Sequence, residues 1–286
     1  MDIIYNCTQD DISHANINYS KWNHNDFHDC GAEAISKFVK KNSLLSDNIK
    51  NYLKKTSKSP FPEYLYIKGM DLDFPESGFE KSNYKSELFL ASLAYYLGYP
   101  VSNINHKNGR IVHDIYPIAE DKKKQIGSNA EQFLFWHTEN AHENPLPSYI
   151  ALFCLRGDLN AETFMANLHI APISKEEREI LGKEIYIISS DLSHIEKNET
   201  CCSIYSEKNG YPCYRFGPLY TKVENEDAVK ILNNLISYCD DNKYGIILEK
   251  GDLLLINNRI CCHARSIFKS NYDGNDRWIQ RVIINS

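Results

Sequence analysis

The chain contains no long hydrophobic run. Nowhere does it approach the roughly 18 consecutive apolar residues that span a bilayer. Its first residues, Met1-Asp2-Ile3-Ile4-Tyr5-Asn6, offer neither the basic nor the apolar region of a signal peptide. A cytoplasmic protein without a membrane partner is therefore expected. Basic stripes are missing too: the net charge of -6 is modest and spread out, without the aromatic-basic interleaving that nucleic-acid grooves need. Nucleic acid is not an expected partner. There is no C-x-x-C among the nine cysteines, an odd number that includes the adjacent pairs Cys201-Cys202 and Cys261-Cys262. Reduced, structural thiols follow, rather than disulfides or a thiolate zinc site. Nor does a Pro/Gly/Ser-rich linker, a repeat or a low-complexity segment interrupt the 286 residues. A chain of this length can bury one large core. A single domain over 1–286 is expected, with a mixed α/β N-terminal layer over 1–105 and a β-rich core over 106–286.

What is present begins with helical texture. Ala32 to Val39 and Ser86 to Leu97 place apolar residues at i, i+3 and i+4, the second run ending at Gly98 and Pro100. Tyr64 to Ile67 reads as a strand between them. From about residue 110 short β-rich runs take over: 110–115, 132–137, 149–155, 184–188, 253–256 and 278–284. Many short strands separated by turns point to a mainly β fold with flanking helices, a jelly-roll barrel or sandwich. One helical insert is expected from Ala228 to Cys239, with Val229, Ile231, Leu232 and Leu235 as its apolar stripe.

Two stretches carry the chemistry. In Trp136-His137-Thr138-Glu139 the His and Glu are two apart, so on a strand both point to one side. Such a triplet recurs by chance, and an exposed or hydrogen-bonded pair is the ordinary explanation of it alone. Gly251-Asp252 then turns into Leu253 to Ile256, a buried strand, and His263 is expected just beyond it in a polar, turn-rich stretch. Fourteen residues after His263, Arg277 opens a final strand on which Arg277, Ile279, Arg281 and Ile283 share a face. Buried guanidiniums need anions, and a bidentate carboxylate suits their fork. Pairing of Arg277 and Arg281 with the protein's own acids on an exposed face is the alternative. Two imidazoles, one carboxylate and a distant guanidinium are the ligand set of a non-haem Fe(II) oxygenase with a keto-acid cosubstrate.

The chain resembles the clavaminate synthase-like group of Fe(II)/2-oxoglutarate-dependent oxygenases, which includes L-arginine, L-asparagine and L-lysine hydroxylases. The likeness runs from about residue 95 to the C-terminus. It rests on Gly109-Arg110-Ile111-Val112-His113-Asp114, Trp136 to Ala141, Leu152-Phe153-Cys154-Leu155-Arg156-Gly157-Asp158, Gly251 to Arg259, His263-Ala264-Arg265-Ser266 and Tyr272 to Trp278, in the family's order. The resemblance implies a double-stranded β-helix core, with Fe(II) held by His137, Glu139 and His263. It further implies 2-oxoglutarate held through its distal carboxylate by Arg277 with Thr163, and an amino-acid substrate whose carboxylate meets Arg281. His106, where many relatives have Gln, and Ser128 are further candidates on the substrate side. The implied reaction consumes O2 and 2-oxoglutarate, releases succinate and CO2, and hydroxylates an unactivated C–H of a free L-amino acid or derivative. Chlorinating relatives replace the metal carboxylate with Gly or Ala, so Glu139 favours hydroxylation.

Two features set the chain apart or leave alternatives open. Relatives acting on basic amino acids carry acids ahead of the last helix, whereas Tyr214-Arg215-Phe216-Gly217-Pro218-Leu219-Tyr220-Thr221 has none. His142 and Glu143 are read as polar rim groups near the metal. A zinc hydrolase could use the same His2Glu set, although His-Glu-x-x-His is absent. A non-catalytic barrel binding a small acid is the third reading.

Overall fold

The computed structural model describes residues 3–22, 32–56, 61–79, 84–102, 110–194, 196–208 and 210–286. Its strands, numbered in chain order, form two facing sheets and two smaller ones. The larger sheet contains β1 (Ile4–Asn6), β2 (Tyr64–Lys68), β14 (Leu253–Asn257), β6 (Tyr149–Arg156), β16 (Trp278–Asn285) and β3 (Tyr99–Pro100) in that order, with β4 (Val112–Ile115) also pairing with β16. The opposing sheet runs β13 (Tyr244–Ile247), β7 (Glu162–Asn167), β15 (Cys261–Arg265) and β5 (Leu134–His137). This is the expected double-stranded β-helix. An insert supplies a three-stranded sheet of β12 (Thr221–Lys222), β8 (Tyr186–Ser189) and β9 (Glu199–Cys202), and a hairpin of β10 (Tyr205–Lys208) and β11 (Tyr211–Tyr214).

Strand parity explains why runs such as Leu253-Leu254-Leu255-Ile256 are apolar without alternation: both faces are covered. Ala151, Phe153, Leu155, Leu253 and Leu255 pack outward against the N-terminal helices α1 (Gln9–Tyr19), α2 (Ala32–Lys41), α3 (Asp47–Thr56) and α4 (Lys85–Leu97). Ile150, Leu152, Cys154, Leu254, Ile256 and Ile279 face the barrel interior with Met165 of the opposing sheet. That sheet turns its outer side, including Ala166, Cys262 and Ala264, to α5 (Lys175–Leu181) and α6 (Glu226–Asn242). At the turn before β14, Gly251 has φ +85 and its Cα abuts the Met70 backbone, a conformation and an approach that a side chain would strain.

Several expectations change. The N-terminal segment contributes β1, β2 and β3 to the larger sheet. His263 lies within β15, not in a turn; the strand is buried along its whole length, so it shows no polar alternation. In α6, Ala228 joins Ile231, Leu232 and Leu235 in the core, while Val229 is 41% exposed. Asn225 caps that helix by accepting a hydrogen bond from the Ala228 N–H at 2.8 Å. Among the described cysteines all eight are thiols, and Cys30 lies outside the described residues. No described helix is long and apolar enough to cross a membrane.

Candidate metal centre and cosubstrate cleft

Register builds the site. Strand β15 pairs antiparallel with β5 so that His263 sits opposite His137, and their ring centroids are 4.2 Å apart. Glu139 follows two positions after His137 on the same side, while Trp136 and Thr138 point away. Trp136 Nε1 donates to Asp240 on α6 at 2.8 Å, and the Phe216 N–H donates to Thr138 Oγ1 at 2.9 Å. The Glu139 backbone is fixed on both sides by Asn258, whose Oδ1 accepts from Glu139 N–H at 2.7 Å and whose Nδ2 donates to Glu139 O at 3.1 Å. These outward bonds aim the inward pair.

The ligand atoms of His137, Glu139 and His263 all lie within 4.8 Å of one another. His137 Nδ1 is 2.7 Å from the Phe135 carbonyl, which requires the proton on Nδ1 and leaves Nε2 with its lone pair. His263 is buried, and no hydrogen bond from a described residue reaches Nδ1. Its Nε2 is 4.0 Å from Glu139 Oε2, too long for a hydrogen bond. Burial, with the charges of His137 and Arg281 added, pushes the His263 pKa well below the ordinary histidine value. A neutral imidazole without hydrogen bonds, facing a carboxylate and a second oriented imidazole, fits a divalent metal.

Arg281 enters this set directly. Its Nη1 donates to Glu139 Oε1 at 2.9 Å, and its Nη2 reaches His113 Nδ1 at 3.1 Å. His113 Nε2 is 2.7 Å from the Arg110 carbonyl, so it carries the proton and Nδ1 accepts from Arg281. Glu139 therefore keeps Oε2 for a metal while Oε1 is held by Arg281. Among the described residues, Arg281 Nε is buried without a partner. Sequence reasoning set Arg281 toward a substrate and missed its grip on Glu139; the His113 motif was visible but carried no role.

Arg277 behaves differently. It is 6% exposed, lines the same cavity, and makes no hydrogen bond or ion pair with any described residue. Burial lowers its pKa from the ordinary arginine value, with Cys154 and Asp158 opposing, yet a guanidinium stays cationic at neutral pH. The neighbouring Arg265 is by contrast fully engaged, donating to Gly127 O at 3.0 Å and Asn129 Oδ1 at 2.7 Å. Burial and the Arg277 charge pull Arg265 down to about 9. Thr163, opposite Arg265 on β7, is buried and lines the cavity with Arg277. An unpaired buried cation beside a hydroxyl is a receptor for a carboxylate.

Not every candidate arrives. Ser128 Oγ donates to Asp121 Oδ2 at 2.6 Å, a bond that closes its own loop, and Ser128 is not among the cavity-lining residues. His106 lies outside the described residues. Conversely, the insert brings Asp191 and His194 to the cavity beside His142. Burial pushes the Asp191 carboxyl up, but His194, the Ser193 hydroxyl and the Ser193 N–H outweigh it and hold the pKa well below the carboxylate range.

Comparison with known proteins agrees with this geometry. Residues 190–283 match the family described as taurine catabolism dioxygenase TauD, TfdA family. An enduracididine beta-hydroxylase of Streptomyces hygroscopicus is 28% identical over 221 residues, covering 67% of this chain and 64% of that protein. An L-ornithine/L-arginine 3-hydroxylase of Catenulispora acidiphila is 23% identical over 258 residues, 76% of this chain and 75% of that one. The crystal structure of the non-heme iron oxygenase OrfP with Fe, succinate and (3S)-hydroxy-L-Arg superposes with a TM-score of 0.85 at 24% identity, over 99% of this chain and 94% of that chain.

Proposed function

We propose that this chain, which is similar to the clavaminate synthase-like oxygenases, is an Fe(II)/2-oxoglutarate-dependent hydroxylase of a free L-amino acid or close derivative. The observation that carries the reading is the meeting, in one cleft, of the His137–Glu139–His263 donor set with the unpaired cation of Arg277. His137 Nε2, Glu139 Oε2 and His263 would hold the iron. When bound, iron with O2 and 2-oxoglutarate supplies the oxidising chemistry, converting the keto acid to succinate and CO2.

The chain's own residues position and shield. Arg277 and Thr163 would receive the distal carboxylate of 2-oxoglutarate and so orient the keto acid in the cleft. Arg281 holds Glu139 Oε1, limiting the carboxylate to one ligand oxygen, and its buried Nε is the donor left for a substrate carboxylate. Ile115, Ile150, Leu152 and Ile279 line the cleft with hydrocarbon, which keeps water from the reacting C–H. That the similar proteins are named as hydroxylases of arginine, ornithine, lysine and enduracididine supports an amino-acid substrate.

The test is succinate formation by the Fe(II)-loaded protein with 2-oxoglutarate, O2 and a panel of free L-amino acids, with mass detection of products. Succinate stimulated by one amino acid, with a +16 product, is the expected result. Tight Zn(II) binding with hydrolysis and no succinate would move the assignment to a zinc hydrolase, and ligand binding without turnover to a small-acid-binding barrel.

A further inference from the structure

We propose that His142, Glu143 and His194 form a second metal site, suited to a divalent first-row transition ion such as Zn(II), on the wall of the same cleft. Their ligand atoms all lie within 4.8 Å of one another. Two imidazoles and one carboxylate are a sufficient protein contribution for such an ion. This inference goes beyond the hydroxylation proposed above and stands without it.

The His142 and His194 rings meet edge to face, with centroids 4.8 Å apart and planes at 89°. His142 is 5% exposed, and among the described residues its Nε2 has no hydrogen-bond partner. The nearest acid oxygen, Glu143 Oε1, is 3.6 Å from that nitrogen, beyond hydrogen-bond range. His194 Nδ1 is 3.0 Å from Asp191 Oδ1. With Nδ1 donating to that carboxylate, Nε2 is the atom left to ligate. A carboxylate behind a ligating imidazole is the usual support of a metal-bound histidine. Glu143 and Asp191 together also supply the two negative charges that a dication needs.

The cluster is built across two parts of the fold. His142 and Glu143 sit in the loop after β5, just past Glu139, and His194 sits between β8 and β9 of the insert. That loop is held independently of any metal: Arg215, just after β11, donates to the carbonyls of Ala141 (2.9 Å) and Glu143. A metal there would pin the insert to the segment that carries Glu139. His142, Asp191 and His194 line the cleft, so remaining coordination positions face it and could accept an oxygen or nitrogen donor from a substrate.

Metal-free protein titrated with Zn(II) alone, against a chromophoric competitor, tests this. The wild type should bind two ions per chain, His142→Ala/His194→Ala one, and His137→Ala/His263→Ala one. Glu143→Gln, which keeps the side-chain shape, should weaken one of the two wild-type equivalents at least about tenfold. Asp191→Asn should do so by roughly 10–100-fold as the support of a ligand. The proposal is overturned if His142→Ala/His194→Ala keeps the wild-type stoichiometry, or if His137→Ala/His263→Ala binds no ion. Should the first of these variants not fold, unchanged affinities in Glu143→Gln and Asp191→Asn overturn it equally. Failure of the iron assignment reads differently: His137→Ala/His263→Ala would then match wild type.

Discussion

Two clusters of two histidines and one glutamate meet at one cleft, which the four histidines and Glu139 line, and they are made in different ways. His137 and His263 are set by the pairing of β5 with β15, and Glu139 by the Asn258 side chain on its backbone. His142, Glu143 and His194 are carried on loops, tied by Arg215 and Asp191. Strand register sets the two histidines of the first cluster and Asn258 alone ties its glutamate, whereas the second cluster is carried wholly on loops and depends on side-chain contacts. The first arrangement suits a centre that must keep an exact open face through turnover; the second suits a clasp between parts of the fold.

The largest effect should come from breaking the strand-borne set. His137→Ala or His263→Ala should reduce 2-oxoglutarate-dependent succinate formation to background, measured with saturating Fe(II). Substantial turnover in either would remove that residue from the metal. Next, Arg277→Ala should raise the KM for 2-oxoglutarate. A charge-assisted interaction worth about 1.5–3 kcal/mol corresponds to roughly 10–150-fold. Arg277→Lys should recover only part of this, since an ammonium lacks the planar fork. Unchanged KM in both would assign the cosubstrate carboxylate elsewhere.

Smaller changes sharpen the contrast in rigidity. Asn258→Ala leaves the Glu139 N–H and carbonyl unmatched in the interior and should cost about 1–3 kcal/mol of unfolding free energy in a denaturant titration. Asn140 turns the chain between the two clusters at φ +49, a conformation that a β-branched side chain resists. Asn140→Val should therefore cost about 1–2 kcal/mol. A stability equal to wild type would mean that this turn relaxes without strain.

The sequence made the first cluster readable because its physics is local. The i, i+2 spacing was enough to put His137 and Glu139 on one side, although β5 ends at His137 and the Asn258 side chain sets the Glu139 backbone, and strand parity aligned Arg277, Ile279 and Arg281 toward the interior, where all three line the cleft. The apolar runs of β6, β14 and β16 were visible for the same reason. Other parts depended on partners distant in sequence. Strand β15, Cys261-Cys262-His263-Ala264-Arg265, is buried on both faces and has no β-branched residue, so neither alternation nor propensity announced it. Nothing local reveals that Glu139, 142 positions earlier, takes Nη1 of Arg281. His194 and Asp191 lie in a loop of the insert, and only the fold brings them to His142.

The most direct test of the central claim is an anaerobic titration of the Fe(II)-loaded protein with 2-oxoglutarate, followed by visible absorption. A keto acid chelating Fe(II) beside two imidazoles and a carboxylate should give a charge-transfer band in the wild type. The band should be absent in His137→Ala, and it should require far more cosubstrate in Arg277→Ala. No band in the wild type, or an undiminished one in His137→Ala, would contradict the account.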